Sequence, residues 1–177
     1  MAGLAEPRIE QPQVPSSWER FEALYRACRD DVFAYTATLL HDPAAAEDVT
    51  ALAFERAYRK RRTFDRRRGE ERAWLFGIAR NAALDELRRR RRIAALTAEP
   101  RVEEDLADHA EVALRRTALR NALSRLPARD RELVALKFHA GLSNGEIARV
   151  LGVSESAAGT RLHRAIEKLR KACDETS

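Results

Sequence analysis

Residues 143–171 read SNGEIARVLGVSESAAGTRLHRAIEKLRK, and their punctuation decides the fold. Ser143 and Glu146 stand at the Ser-x-x-Glu spacing of a capping box, so a helix starts just after Ser143. Leu142 and Ile147 take the two positions of a hydrophobic staple. Ile147, Ala148 and Leu151 make the apolar side of this short helix, and Gly152 ends it. Ser154 then caps a second helix that runs to about Ala172, with Ala158, Leu162, Ala165, Ile166 and Leu169 facing inward. A short helix, a tight turn and a longer capped helix make a helix-turn-helix. On the longer helix Arg161, Arg164, Lys168 and Lys171 step by three, four and three, so they share one face. Ser156, Ala157 and Thr160 face the same general way nearer its start. Small residues let the first turn of such a helix enter a major groove, and arginines then reach guanine edges or phosphates. The plainer alternative is an amphipathic hairpin with a solvated basic face. Two caps and a one-sided basic face favour DNA binding.

Upstream of this unit, Leu119, Leu123 and Leu126 lie at helical spacing and Pro127 ends their run. Ala128 to Ala140 carries Leu133, Val134 and Leu136, and Gly141 supplies a stop. A separate periodic block begins at Trp18: Trp18, Phe21, Tyr25, Cys28, Val32, Tyr35 and Leu39 line one helix face. Asp42-Pro43 interrupts it, and Ala46, Val49, Ala53 and Ala57 mark a second helix with Leu52 at its edge. KRRTFDRRRGE, residues 60–70, reads as a basic loop around Phe64. A third helix is predicted from Glu71 to Arg92, with Leu75, Ile78, Ala79 and Ala82 inward and Trp74 beside them. It ends in five consecutive arginines, Arg88 to Arg92. No strand-like alternation occurs anywhere. The expected fold is all-α: two small helical domains, 18–92 and 112–177, joined by a flexible linker, 93–111. Residues 1–17, with three prolines and no periodicity, are expected to be a disordered tail.

The charge pattern supports this division. The formal net charge is +5, from 33 Lys+Arg against 28 Asp+Glu. Residues 18–92 are net +5 and residues 112–177 net +6, whereas the linker is net −5. Two basic blocks flank a short acidic one, which suits a polyanionic partner. The Arg88–Arg92 run, with Lys60 to Arg62 and Arg66 to Arg68 in the same domain, reads as a phosphate-contacting surface. Phe64, Trp74 and Phe76 beside it are candidates to stack on unpaired bases, with core packing favoured for Trp74. Other classes are excluded or poorly supported. No apolar run approaches a membrane span, and the N-terminal residues lack the apolar stretch of a secretory signal, so the expected compartment is the cytoplasm. Cys28 and Cys173 lie far apart with no Cys/His cluster, so no metal is expected. His41, His109, His139 and His163 stand outside any nucleophile or metal spacing, and no Gly-rich phosphate loop exists. Neither catalytic residues nor a cofactor are expected.

Three runs together are more specific than the helix-turn-helix alone: AEDVTALAFERAYRK (46–60), TFDRRRGEERAWLFGIARNAALDELRRRRR (63–92) and LSRLPARDRELVALKFHAGLSNGEIARVLGVSESAAGTRLHRAIEKLRK (123–171). In order, with a short linker and no middle domain, they resemble the extracytoplasmic-function group of bacterial sigma factors. The resemblance covers Trp18 to Lys171. It implies a subunit that binds the RNA polymerase core, its β and β′ subunits, and directs promoter-specific initiation, with an anti-sigma factor as a further partner. It implies core-binding positions at Glu47, Asp48, Glu55 and Arg56, and capture and melting of a −10 element by Asn81, Asp85 and the arginines Arg88, Arg89, Arg90 and Arg91. The second domain would read a −35 element through Arg161 and Arg164, with Ser156, Ala157, Thr160 and Lys168 alongside. The acidic linker would thread a basic polymerase channel as a nucleic-acid mimic. Three positions depart from the family pattern: Leu52 stands where a polar residue is common, and Ala157 and Gly159 stand where Thr and Lys are common. The competing readings are a self-contained helix-turn-helix repressor or activator and, more remotely, an all-α enzyme.

Overall fold

In the computed structural model, residues 16–97 and 110–174 are described. They form seven α-helices: α1 Ser17–Leu40, α2 Pro43–Lys60, α3 Glu71–Thr97, α4 Ala110–Arg125, α5 Ala128–Phe138, α6 Asn144–Leu151 and α7 Glu155–Asp174. Two single 3-10 turns, Arg61–Thr63 and Arg66–Arg68, fill the basic loop between α2 and α3. No strand occurs among the described residues.

Local chemistry sets most boundaries. The Ser16 hydroxyl accepts from the Glu19 N–H at 3.2 Å, and the Glu19 carboxylate accepts from the Ser16 N–H at 2.6 Å. This capping box starts α1 at Ser17, inside the stretch expected to be tail; residues 1–15 lie outside the described residues. Asp42 caps α2 by accepting from the Ala45 N–H at 3.0 Å, with Pro43 in the first helical position. The Ser143–Glu146 box and the Ser154 cap form as expected, with Gly152 at φ +67° between the two helices. The one boundary that moves far is the end of α3. It continues five residues beyond Arg92 to Thr97, so the expected linker begins with helix and, at its other end, gives way to helix again at Ala110. Ile93, Ala94, Ala95 and Leu96 are helix formers, and the first breaker beyond Arg92 is Pro100. The remainder of the linker, 98–109, lies outside the described residues.

The first three helices pack around Leu24, Cys28, Val32, Tyr35, Leu39, Val49, Phe54, Leu75 and Phe76, all buried. Phe76 is fully buried and meets Tyr35 edge to face at 5.5 Å, so it is core and does not offer a stacking surface. The upper end of the α1 stripe is not core. Trp18 is 56% and Tyr25 41% exposed, and they lean on Tyr58 and Phe54 as an aromatic rim. In the second unit Leu126, Leu133, Leu136, Leu142, Ile147 and Leu162 are buried, whereas Leu119 is exposed.

The two units were expected to be separate. Instead α1 and α3 pack against α5 and α6, and one apolar cluster runs from Leu75 and Ile78 through to Leu136 and Ile147. Arg80 and Glu132 meet across this junction with Nε to Oε1 at 2.7 Å.

Candidate nucleic-acid interface

On α7, Ser156, Thr160, Arg161, Arg164 and Lys168 are exposed, and Ala157 is half-buried, its N–H donating to the Ser154 cap. The stripe behind them, Ala158, Leu162 and Ala165, is buried, so burial fixes which face α7 turns outward. Arg161 and Arg164 extend from that face. Lys168 is committed differently: its ammonium reaches back 2.5 Å to the Asp130 carboxylate on α5. The charged part of the α7 face therefore centres on Arg161 and Arg164. Gly159 lies beside the start of α6, where a methyl would make an ordinary 3.4 Å contact with the Asn144 amide nitrogen.

On α2, Glu47, Asp48 and Glu55 are exposed, opposite the buried stripe Ala46, Val49, Ala53 and Ala57. Glu55 pairs with Arg59 one turn on, at 2.6 Å. Leu52 is half-buried and packs on the apolar cluster, which accounts for an apolar residue at that position. Arg56 does not stand free on this face; its guanidinium bonds Asp85 of α3 at 3.2 Å.

On α3, Asn81 and Asp85 are exposed one turn apart, as the spacing predicts. Asp85 sits between two arginines, Arg56 and Arg88, the latter at 3.1 Å. The arginine run divides. Arg89 is exposed and forks onto Glu86 with bonds of 2.7 and 2.9 Å. Arg90 is only 15% exposed at its side chain and ties Glu86, at 2.7 Å, to Asp42, at 2.9 Å. Arg90 is thereby a strut between the α2 cap and α3. Arg88, Arg89, Arg91 and Arg92 keep their outer surfaces in solvent. The hydrogen bond from Arg89, together with Arg90, holds the Glu86 carboxyl down at about 2 despite partial burial. Asp42 is lowered as well, first by its bond from the Ala45 N–H and then by Arg90. An open groove of about 540 Å³ runs between α2 and α3, and Asp48, Leu52, Asp85, Arg89 and Arg92 line it. The acidic α2 face and the basic end of α3 thus border one depression. Trp74 is half-buried against the cluster with Phe64 tilted on it at 5.3 Å, leaving Phe64 as the outer ring. Among the described residues no group of His, Cys, Asp or Glu is arranged to hold a metal, and no helix is long and apolar enough to cross a membrane.

Comparison with known proteins places both halves. Residues 24–93 match the family model for sigma-70 region 2, and residues 116–169 match that for sigma-70 region 4. The ECF RNA polymerase sigma factor SigL of Mycobacterium tuberculosis is 34% identical over 84% of this chain and 88% of its own length. The chain belongs to the extracytoplasmic-function family of RNA polymerase sigma factors. BldN of Streptomyces coelicolor, another ECF sigma factor, is 35% identical over 92% of this chain; the match spans 63% of that longer protein. Among solved structures, the fold resembles the sigma factor RpoE in its complex with the anti-sigma factor NepR from Bartonella quintana, with a TM-score of 0.78, 24% identity and coverage of 88% of this chain and 97% of that one. It also resembles CnrH in complex with the cytosolic domain of CnrY, with a TM-score of 0.63, 26% identity and coverage of 89% of each chain. As a member of this family, the sigma factor is a DNA-binding transcription initiation factor that directs the polymerase to specific promoters. Helices α1 to α3 are its region 2, and α4 to α7 its region 4.

The residues that sequence reading missed lie at the junction of the two regions: Arg72, Arg80, Glu132 and His139. A signal was present. Arg80 falls on the buried stripe with Phe76 and Ala83, and Glu132 on the stripe with Leu136. Opposite charges set into apolar stripes of two helices mark a buried pair between them.

Proposed function

We propose that the sigma factor divides its work among three faces. Glu47, Asp48 and Glu55 on α2 bind the polymerase core; Asn81, Asp85 and the outer arginines of α3 capture the −10 element; and Arg161 and Arg164 of α7 read the −35 element. The observation that carries this reading is the exposure of all three faces on helices whose opposite sides are buried. Such faces are free for a partner without disturbing the fold. Asn81 presents an amide, with donors and an acceptor, toward a place where an unstacked base would lie, and Arg88, Arg91 and Arg92 supply cations for the phosphates beside it. Extruding a base costs a few kcal/mol, which one polar pocket and several phosphate contacts offset. Phe64, the outer ring of its pair, offers a stacking surface at the edge of the same basic loop.

The sigma factor acts in the cytoplasm, without catalysis or a cofactor of its own, and is restrained by an anti-sigma factor, as the sigma factor RpoE is bound by the anti-sigma factor NepR from Bartonella quintana. Permanganate footprinting on a matched promoter tests the −10 assignment. The Asn81→Ala/Asp85→Ala variant is expected to lose open complex while retaining −35 binding, and a premelted −10 bubble is expected to restore it only partly. Wild-type levels of open complex from that variant would refute the assignment.

A further inference from the structure

Helices α6 and α7 touch at the end where both begin, through two reciprocal contacts. Glu155 is the first residue of α7, and its carboxyl group lies across Gly145 of α6. A methyl on Gly145 would stand 3.3 Å from Oε2, 3.5 Å from Cδ and 3.6 Å from Oε1. Asn144, the first residue of α6, in turn holds its amide nitrogen 3.4 Å from the place of a methyl on Gly159 of α7. Each helix sets a glycine beneath a polar side chain of the other. Gly145 leaves the room that keeps the Glu155 carboxyl group beside α6.

Glu155 is also uncommitted. It is exposed, and among the described residues its carboxylate takes part in no ion pair and no hydrogen bond. The other charges along the outer side of α7 differ in this respect: Lys168 reaches Asp130, and Glu167 faces His163 at 3.3 Å. The start of a helix carries partial positive charge, and two helices start here, so the fold tolerates an anion at this point. That accounts for the charge but not for what it meets outside the protein.

A helix-turn-helix places its second helix in the major groove with the N-terminal residues against the base edges. Glu155 then comes to the bases together with Ser156 and Thr160. A carboxylate only accepts hydrogen bonds. Guanine offers the groove N7 and O6, and thymine O4, all of them acceptors; adenine sets its N6 amino group beside the acceptor N7, and cytosine shows the N4 amino group alone. Acceptor facing acceptor is repulsive, so the carboxylate disfavours guanine, thymine and backbone phosphates and is suited to cytosine. Arg161 and Arg164 make the opposite demand, for the acceptors of guanine. Six residues of helix, about 9 Å, separate Glu155 from Arg161, close to three base pairs at about 3.4 Å each.

We infer that Glu155 is a specificity-determining residue of the −35 element: its carboxylate accepts from the N4 amino group of one cytosine, about three base pairs from the guanine read by Arg161. The inference rests on α7 as the −35 reader and adds a selection that the arginines do not make.

Holoenzyme assembled from core polymerase and the full chain is incubated with promoter fragments randomised across the −35 element, and the bound fragments are sequenced. Wild type is expected to enrich guanine at the arginine-read positions and cytosine at one further pair. Glu155→Ala is expected to lower that cytosine enrichment by about five-fold or more, the lower end for a good base contact, with the guanine preference retained. Glu155→Gln, which keeps the shape and gains an amide donor, is expected to move the preference at the same pair to adenine, whose N6 and N7 match an amide. A Glu155→Ala profile identical to wild type would overturn the inference alone, as would uniformly tighter binding to every sequence, the mark of a carboxylate that only repels phosphates. A wild type that enriches no −35 sequence would overturn both the inference and the reading of α7 beneath it.

Discussion

Glu86 is the residue on which the end of α3 converges. Its carboxylate takes bonds from Arg89 and Arg90, and Arg90 carries the same net of contacts on to Asp42 at the start of α2. With its carboxyl held at about 2, against 4.5 when free, Glu86 stabilises the native state fully above pH 4.5 and loses that contribution as pH falls toward 2. Glu86→Gln is therefore expected to lower stability at pH 7 by about 1.5–3 kcal/mol, the range for hydrogen bonds to charged groups. Thermal melts of both proteins at pH 7 and pH 3 check this; the gap should narrow at pH 3. Asp48 makes the opposite case. It is exposed and faces away from the buried stripe of α2. Asp48→Arg is expected to abolish co-purification with polymerase core while changing stability by no more than about 0.5 kcal/mol, as for other surface replacements. A large fall in melting temperature would mark Asp48 as structural. Arg161→Ala or Arg164→Ala is expected to weaken binding to a −35 duplex by about 1–3 kcal/mol, measured by fluorescence anisotropy, with core affinity unchanged.

At the scale of the element, the caps carried most of what the sequence made legible. Ser143, Glu146, Gly152 and Ser154 write the start and stop of α6 and the start of α7 in local hydrogen bonds, and local hydrogen bonds are what a sequence displays. Ser143→Ala is expected to cost about 1 kcal/mol and lower the melting temperature by about 2–4 °C. A change within error would show that tertiary packing of Leu142 and Ile147 alone fixes α6. Composition was a poorer guide than propensity at the end of α3. The acidity of residues 93–111 hid the short run of helix formers that continues the helix to Thr97. The arginine run shows the same limit at its middle. Five identical side chains look equivalent in a string, but α-helical geometry turns Arg90 inward onto Glu86 and Asp42 and leaves its neighbours outward.

Across the whole molecule, periodicity and family motifs gave both regions and their order, because each region buries its own stripes. What they did not give is the contact between the regions. Arg72, Arg80 and Glu132 find partners 41 to 68 residues away, and no local pattern records which distant charge answers which. The same holds for Asp85, whose bond to Arg56 joins a face assigned to the core with one assigned to the −10 element. The arrangement nevertheless leaves the acidic face of α2, the outer arginines of α3 and the basic face of α7 all in solvent, the condition for a subunit that bridges polymerase and promoter. Run-off transcription with purified core polymerase on promoter fragments bound by this chain is the most direct test of that role. A discrete transcript from a fixed start site is expected only when the chain is present, lost in Asp48→Arg at the step of core binding and in Arg161→Ala/Arg164→Ala at the step of −35 recognition. No specific RNA above that from core alone, or repression in place of initiation, would contradict it.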